Sequence, residues 1–89
     1  MAQSSFSDEE IQNIYKLIGA NVKHYRMERG LTQLALSYEI GYKSVSLVSA
    51  AELCSNDKHF NIEHLYKMSK VLDVPIAKFF EPTPLADDL

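Results

Sequence analysis

Cysteine and histidine are the side chains of this sequence best suited to bind a metal or attack a substrate, and the chain has few of them. There is one cysteine, Cys54, and there are three histidines. His59 and His64 complete no zinc-binding spacing with the cysteine or with an acidic residue. Cys54 is close to His59 in sequence, but no feature of an oxyanion hole and no glycine-rich phosphate loop accompanies it. The sequence therefore predicts a protein that is not an enzyme and that binds neither a metal nor a cofactor.

Residues 30–52 are the most informative stretch of the sequence, because two short helices and a turn can be predicted within them. Their sequence, GLTQLALSYEIGYKSVSLVSAAE, contains two short helical segments with a glycine, Gly41, between them. Thr32 is expected to cap the first helix and Ser44 the second. Two short helices joined across a glycine turn leave one helix projecting, and a projecting helix fits the major groove of DNA. We therefore predict a helix-turn-helix at about residues 32–52.

The charge of the chain neither excludes nor requires a nucleic acid partner. The formal net charge is −3. All nine lysines and arginines lie within residues 15–80, where they outnumber the acidic residues by nine to six, and the other six acidic residues lie nearer the ends. A mildly basic body with acidic ends is weak evidence for binding to nucleic acid.

The cellular compartment is predicted from what the sequence lacks. No apolar run approaches the length of a membrane span, and the polar, acidic first residues are unlike a signal peptide. A single cysteine fits a reducing environment. These features predict a cytoplasmic protein that has no membrane partner.

The start and end of the first helix can be predicted from its capping residues. Ser7 and Glu10 have the spacing of a capping box, and Gly30 is suited to the left-handed position that ends a helix. Apolar residues then recur at helical spacing between them. The residues expected to face inward are Ile11, Ile14, Ile18, Val22 and Tyr25.

The remaining pattern predicts an all-α fold of five helices in one domain. Residues 53–60 are polar and predict a loop, Asn61 is expected to cap the fourth helix, and residues 76–80 form a short fifth helix. The residues expected to face the core from the second, third and fourth helices are Ala35, Leu36, Ile40, Leu47, Val48, Ala51, Ile62, Leu65, Met68, Ser69 and Leu72.

The chain is predicted to consist of three parts. Residues 1–14 form an N-terminal extension, helical from about residue 8 and continuous with the first helix. Residues 15–81 form the helix-turn-helix domain, and residues 82–89 form a short acidic tail.

From residue 16 to residue 80 the sequence resembles the helix-turn-helix family of the lambda-type phage repressors and Cro, also called the XRE family. The resemblance depends on an ordered set of residues at the right spacing, because Gly30-Leu31-Thr32-Gln33 alone would occur by chance. The other matching positions are Ile18-Gly19, Val22, Tyr25-Arg26, Leu36, Gly41, Ser44, Val48-Ser49, Ala51-Glu52, Ile62, Leu65, Met68, Val71-Leu72-Asp73-Val74 and Phe79-Phe80. The resemblance implies a five-helix, lambda-repressor-like domain and a transcription regulator of bacterial or phage origin.

Two loops of this chain differ from the pattern of the family. The turn is Gly41-Tyr42-Lys43-Ser44, one residue longer than the usual Gly-x-Ser. The loop after Glu52 is also longer, and the helix before Tyr15 is an addition.

The resemblance places six residues of the turn and the following helix against DNA bases. Base edges are read best by bidentate Arg, Asn or Gln, but the positions that commonly carry such residues hold small ones here. Ser46 and Ser49 can each make one hydrogen bond, and Val45 and Ala50 can pack against thymine methyl groups. We therefore expect little direct readout, with specificity depending on DNA shape, water-mediated contacts, Lys43 and two-fold symmetry. The base-facing residues are Lys43, Ser44, Val45, Ser46, Ser49 and Ala50.

Phosphate contacts are assigned by the resemblance to the starts of two helices. Gln33, in the first turn of its helix, would bond a DNA phosphate. The neighbouring Thr32 is also counted among the phosphate-binding residues, although its chief role is as a cap. Lys58, His59 and Asn61 fall where the family has a second phosphate-binding loop. The alternatives are a solvated Gln33 near a cap, and a loop in which an adjacent aspartate opposes the anion.

Arg26 and Glu52 have a structural role in the family. The resemblance implies that they form a partly buried ion pair, which ties the first helix to the end of the third. Such a pair fixes the orientation of the recognition helix and makes no contact with DNA.

The function implied by the resemblance is sequence-specific transcription regulation by a homodimer bound to a two-fold-symmetric operator in double-stranded DNA. Candidate dimer surfaces are the first helix and residues 74–80, where the adjacent Phe79 and Phe80 cannot both face the core. An alternative from another class is a protein-interaction module on the same scaffold, such as an antitoxin that binds a toxin. The expected protein partners are a toxin or RNA polymerase, and a regulator bound near a promoter could either block or recruit the polymerase.

Overall fold

The protein is described here by a computed structural model that covers residues 5–82. These residues form four α-helices and two 3-10 helices and contain no β-strand. The elements are α1 (Asp8–Glu28), α2 (Gln33–Glu39), α3 (Ser46–Leu53), a 3-10 helix at Ser55–Asp57, α4 (Ile62–Leu72) and a 3-10 helix at Ile76–Phe80. Nearly all of the predicted acidic tail, and the first four residues of the predicted N-terminal extension, lie outside the described residues.

The all-α class is confirmed, but the predicted count of five α-helices is not. The segment Ile76–Phe80 is a 3-10 helix, in which the Lys78 N–H bonds the Pro75 carbonyl three residues back at 2.9 Å. Five residues give an α-helix hardly more than one turn, so the tighter winding costs few hydrogen bonds.

Side-chain caps begin three of the helices at the predicted residues. The Ser7 hydroxyl and the Glu10 carboxylate each accept the other residue's backbone N–H, both at 3.2 Å. Thr32 and Asn61 accept the backbone N–H three residues further on, at 3.0 and 2.8 Å. These bonds satisfy N–H groups that have no partner within the helix.

The end of α2 is closed by backbone hydrogen bonds around a left-handed glycine. Gly41 has φ +98°, and its N–H bonds the Tyr38 carbonyl at 3.0 Å. The Tyr42 N–H bonds the Ser37 carbonyl at 2.9 Å. This pair of bonds is a Schellman motif, which fixes the direction in which the chain leaves α2.

The prediction that Ser44 caps α3 is wrong. The helix begins at Ser46, and Val45 occupies the capping position without a side-chain hydrogen bond. The Ser44 hydroxyl accepts the N–H of Ser46, only two residues away, at 3.3 Å. Its oxygen therefore serves a local turn that precedes the helix.

The core lies where all four helices meet, and Phe79 from the last 3-10 helix fills it. The centre of the core is fully buried and combines side chains from α1, α2, α3 and α4. The buried apolar residues are Ile18, Val22, Leu36, Ile40, Val48, Ala51, Phe60, Leu65, Met68, Leu72 and Phe79.

Three residues predicted to face inward are exposed instead. Ile11 and Ile14 are 42% and 53% exposed because they border an open groove that no other described side chain fills. Ile62 is 67% exposed, since Phe60 occupies the core beside the start of α4. The sequence pattern predicts a polar loop at Phe60, but this side chain is buried. None of the described helices is both long and apolar enough to cross a membrane.

The C-terminal end of the described chain is bonded to the middle of α1. The buried Asn21 side chain donates from Nδ2 to the carbonyls of Phe79, at 2.8 Å, and Glu81, at 2.6 Å. These bonds hold the last 3-10 helix against the middle of α1.

Candidate nucleic-acid interface

The helix α3 presents a small-residue face outward because its apolar face is buried. Val48 and Ala51 are fully buried, which leaves Ser46 exposed and Ser49 and Ala50 half-buried on the other side. Val45, just before the helix, is 37% exposed. The outward face therefore holds side chains that are short enough for the helix backbone to approach a partner closely.

The six predicted base-facing residues share one continuous stretch of the surface. Lys43 and Ser44 are exposed in the turn that leads into α3, directly before Val45 and Ser46. Lys43 supplies the one cation of this set. The set has the exposure that groove contacts need, and its assignment to bases stays a prediction.

A buried ion pair fixes α3 against α1. The Arg26 guanidinium donates from Nε to Glu52 Oε2 at 2.7 Å and from Nη2 to Oε1 at 3.2 Å, and both side chains are more than nine-tenths buried. Arg26 Nη1 also donates to the Leu31 carbonyl at 2.8 Å. The two-pronged geometry sets the angle of α3 more tightly than a single bond would.

Gln33 takes part in the same network, which was not expected from the sequence. Its Nε2 donates to Glu52 Oε1 at 2.9 Å. An amide group has two hydrogens, so one remains for the predicted phosphate contact. The bond holds the half-buried Gln33 side chain at the start of α2, next to the Thr32 cap.

Close packing of backbones also positions α3. A Cβ atom built on Gly19 would lie 2.6 Å from the carbonyl oxygen of Glu52 and 2.8 Å from that of Ala51. The end of α3 therefore rests directly on α1, and a residue without a side chain is needed there.

The start of α4 carries a second hydrogen-bonded cluster, which links it to the turn. The backbone N–H of Asn61 donates to His64 Nδ1 at 3.0 Å, and His64 Nε2 lies 3.0 Å from the Tyr42 hydroxyl oxygen. Burial lowers the pKa of His64; nearby Glu63 opposes this shift, while Lys67 and His59 reinforce it. Tyr42 and His64 were not among the predicted site residues, although a tyrosine in a lengthened turn and a histidine at the third helical position were available signals.

The three predicted phosphate-binding residues before α4 differ in the contacts that their side chains make. Lys58 is exposed, whereas the His59 ring stacks on Tyr15 of α1, with centroids 3.7 Å apart and planes 13° from parallel. The Asn61 side-chain oxygen is engaged as a cap. Of these three predicted phosphate-binding residues, Lys58 therefore has the most freedom to reach an anion.

Cys54 and the three histidines are the side chains best suited to attack a substrate or bind a metal. Among residues 5–82, no group of three or more His, Cys, Asp or Glu side chains is arranged to hold a metal ion. Burial raises the pKa of the Cys54 thiol, although nearby Lys16 acts against this shift. The thiol is therefore mostly protonated at neutral pH, which is the less nucleophilic form.

The chain matches a known protein family over most of the described fold. Residues 22–79 match the sequence model of a protein family described as Helix-turn-helix. The matched range is more than half of the chain and contains α2, the turn, α3 and α4. No curated protein matches the chain.

Proposed function

The chain belongs to the XRE-type helix-turn-helix family, and from this premise we propose that it is a transcription regulator that binds a two-fold-symmetric DNA operator as a homodimer. The observation that carries the proposal is the α2–turn–α3 unit, in which α3 is buried on one face and exposes short side chains on the other. The proposal places the protein in the cytoplasm and includes no catalytic activity, metal or cofactor.

The outer face of α3 supports insertion into the major groove. A helix fits this groove, and the short side chains of Ser46, Ser49 and Ala50 allow its backbone to come close to the base edges. Because these side chains discriminate poorly between bases, the shape of the DNA and the spacing of two half-sites would supply much of the specificity.

Phosphate contacts at the starts of α2 and α4 would set the position of α3. Gln33 lies at the first residue of α2 and Lys58 precedes α4, so both are beside helix N-termini, whose dipoles favour an anion. Such contacts carry no sequence information but fix the register of the protein on the duplex.

An exposed apolar face beside the start of α1 supports a homodimer. We define the apolar face as Ile11, Ile14, Ile62 and Phe80, which are 42%, 53%, 67% and 44% exposed. They border a groove of about 440 Å³, whose floor includes Ile18 and Leu65. Exposed apolar clusters of this kind mark interaction sites, and a second copy of the chain is the occupant that two-fold DNA binding requires.

The proposal is tested by selecting a binding site from random duplex DNA and measuring fluorescence anisotropy with that site and with a scrambled duplex. We expect a palindromic site, preference over the scramble, and affinity that falls steeply with salt because counterions are released. Lys58→Gln should lower the slope of log affinity against log salt by about two, because the homodimer loses one phosphate contact in each half-site, while Lys70→Gln, on the far end of α4, should leave it unchanged. No preference for any duplex at any salt concentration would overturn the proposal.

A further inference from the structure

The hydrogen bonds around His64 determine which of its ring nitrogens carries the proton. The Asn61 backbone N–H, which can only donate, bonds Nδ1 at 3.0 Å. Nδ1 must therefore present its lone pair. Since burial lowers the pKa of His64, the ring is neutral at physiological pH and its one proton lies on Nε2.

This tautomer fixes the direction of the Tyr42 hydroxyl. Nε2–H donates to the Tyr42 oxygen across 3.0 Å, so that the oxygen is the acceptor and the hydroxyl hydrogen is directed away from the imidazole. Among residues 5–82 the hydroxyl has no other hydrogen-bond partner. Its hydrogen is therefore available to an acceptor from outside.

The backbone holds this hydroxyl in place. The Tyr42 N–H is bonded to the Ser37 carbonyl at 2.9 Å, as part of the motif that closes α2. The half-buried Tyr42 ring packs edge-to-face on His64, with centroids 5.6 Å apart. Both ends of the residue are thus fixed before any partner binds, which lowers the entropy cost of a contact.

The location of Tyr42 joins the two parts of the candidate interface. It directly precedes Lys43 in the turn that leads to α3, and through His64 it is bonded to the first turn of α4, beside Asn61. An anion that bridges the turn and the start of α4 would face the hydroxyl hydrogen.

We propose that Tyr42 donates its hydroxyl hydrogen to a phosphate oxygen of bound DNA and that His64 is the positioning residue that directs this hydrogen outward. This inference rests on the proposed function, because it needs DNA as the partner. Tyr42 is a neutral donor, so its contact adds affinity on any sequence without releasing a counterion.

The experiment compares Tyr42→Phe, which removes only the hydroxyl, with the control Tyr66→Phe, whose hydroxyl lies on the exposed side of α4. Tyr42→Phe should bind both the selected site and the scrambled duplex about a hundredfold more weakly, since each of the two subunits loses a hydrogen bond to a charged group and each loss costs about tenfold. Its salt slope should match the wild type, whereas its thermal unfolding midpoint should fall by a few degrees because the buried His64 Nε2–H loses its acceptor. Affinities are therefore compared at a temperature at which both proteins are fully folded, and Tyr66→Phe should match the wild type in every respect.

Duplexes with single methylphosphonate substitutions then locate the contact. At one phosphate in each half-site, the substitution should weaken wild-type binding but leave Tyr42→Phe unaffected, because the contact is already lost. Nitrogen-15 NMR of the imidazole should show His64 protonated on Nε2.

Four results would overturn the inference. They are additive effects at every phosphate, a loss confined to the selected site, a His64 proton on Nδ1, and equal binding by Tyr42→Phe and the wild type. The proposed function would survive each of them. If the wild type bound no DNA, the proposed function would fail first and the Tyr42 contact with it.

Discussion

At the scale of single residues, the buried charges of Arg26 and Glu52 stabilise each other. Their side chains are 9% and 1% exposed, so each charge depends on the other and on hydrogen bonds from Gln33 and to the Leu31 carbonyl. The pair was expected from the family resemblance alone, because the residues are distant in sequence and nothing local joins them.

Breaking this pair from one side should destabilise the fold strongly. Arg26→Met should lower the free energy of unfolding by about 3–5 kcal/mol, since it leaves an uncompensated carboxylate inside the protein. The double variant Arg26→Met with Glu52→Met should lose less than the sum of the two single variants. Urea unfolding measures all three, with Lys67→Gln as the control.

The control breaks the exposed ion pair between Lys67 and Glu63, whose atoms are 2.8 Å apart. An exposed pair contributes less than about 1 kcal/mol. Equal losses for Arg26→Met and Lys67→Gln would show that burial of the Arg26–Glu52 pair has no energetic consequence.

His64 should make stability depend on pH. Its pKa in the folded protein is lowered from the ordinary value of 6.5, chiefly by burial, so the unfolded chain takes up the proton first as the pH falls. The free energy of unfolding should therefore be at its full value above pH 6.5 and decrease between pH 6.5 and the lowered pKa of the folded state.

The comparison is with His64→Gln, which retains a side chain suited to the capping box. Urea unfolding from about pH 8 to about pH 5 should show a smaller decrease for this variant than for the wild type. The other two histidines are present in both proteins, so their contributions cancel. Parallel profiles would contradict the assignment of a buried, neutral His64.

At the scale of helices, the prediction from sequence was accurate where the cause is local. The caps at Ser7, Thr32 and Asn61 and the glycine at the end of α2 depend on residues within a few positions. The exposed Ile62, the buried Phe60 and the 3-10 winding before Glu81 depend on which elements meet in space. Periodicity identifies the apolar face of a helix but does not show how much of that face is packed against other elements.

The candidate site also contains some features that depend on local sequence and others that depend on contacts between distant residues. The surface positions of Lys43 to Ser46 follow from the local helix pattern, whereas the bonds of Gln33 to Glu52 and of Tyr42 to His64 join residues 19 and 22 positions apart. Side-chain contacts over such distances have no signature in a single sequence.

The close contact between α1 and α3 can be tested at Gly19, where a substitution to alanine has two opposing effects on the free energy of unfolding. Gly19→Ala should raise helix propensity by about 1 kcal/mol. The new Cβ would nevertheless meet the Glu52 and Ala51 carbonyl oxygens at 2.6 and 2.8 Å, so α3 must move away. We expect a net loss of about 1–3 kcal/mol in the free energy of unfolding.

Asn13→Ala, at an exposed position of the same helix, is the matched control for Gly19→Ala. It adds helix propensity without a clash and should be neutral or slightly stabilising. If Gly19→Ala were also stabilising, the two helices would not be in the close contact that the structure shows. A loss of DNA affinity larger than the loss of folded protein would indicate that α3 has shifted.

At the scale of the whole molecule, four of the eleven exposed large hydrophobic residues of the described chain border one groove and form the apolar face. This face lies on the start of α1, the start of α4 and the last 3-10 helix, and α3 exposes its own, more polar face. A molecule with these two faces suits a pair of subunits that share one surface and present the other to DNA.

The homodimer is tested by a charge placed on the apolar face. Ile14→Glu should shift the protein to a monomer in sedimentation velocity experiments, because a carboxylate buried in an apolar interface is costly. The control Met27→Glu changes an equally exposed residue at the other end of α1, outside the apolar face, and should leave the dimer intact. Identical sedimentation of both variants and the wild type would contradict this interface.

The hydrogen bonds from Asn21 to the carbonyls of Phe79 and Glu81 have a consequence for protein synthesis. The helix-turn-helix leaves the ribosome before residues 79–81, so the part of the nascent chain that has emerged still lacks the aromatic ring that fills its core and both acceptors of the Asn21 amide. We expect the domain to fold only after residue 81 has left the ribosome. A message truncated before the codon for Phe79 would therefore encode every residue of the candidate interface and yield a chain unable to hold them in place.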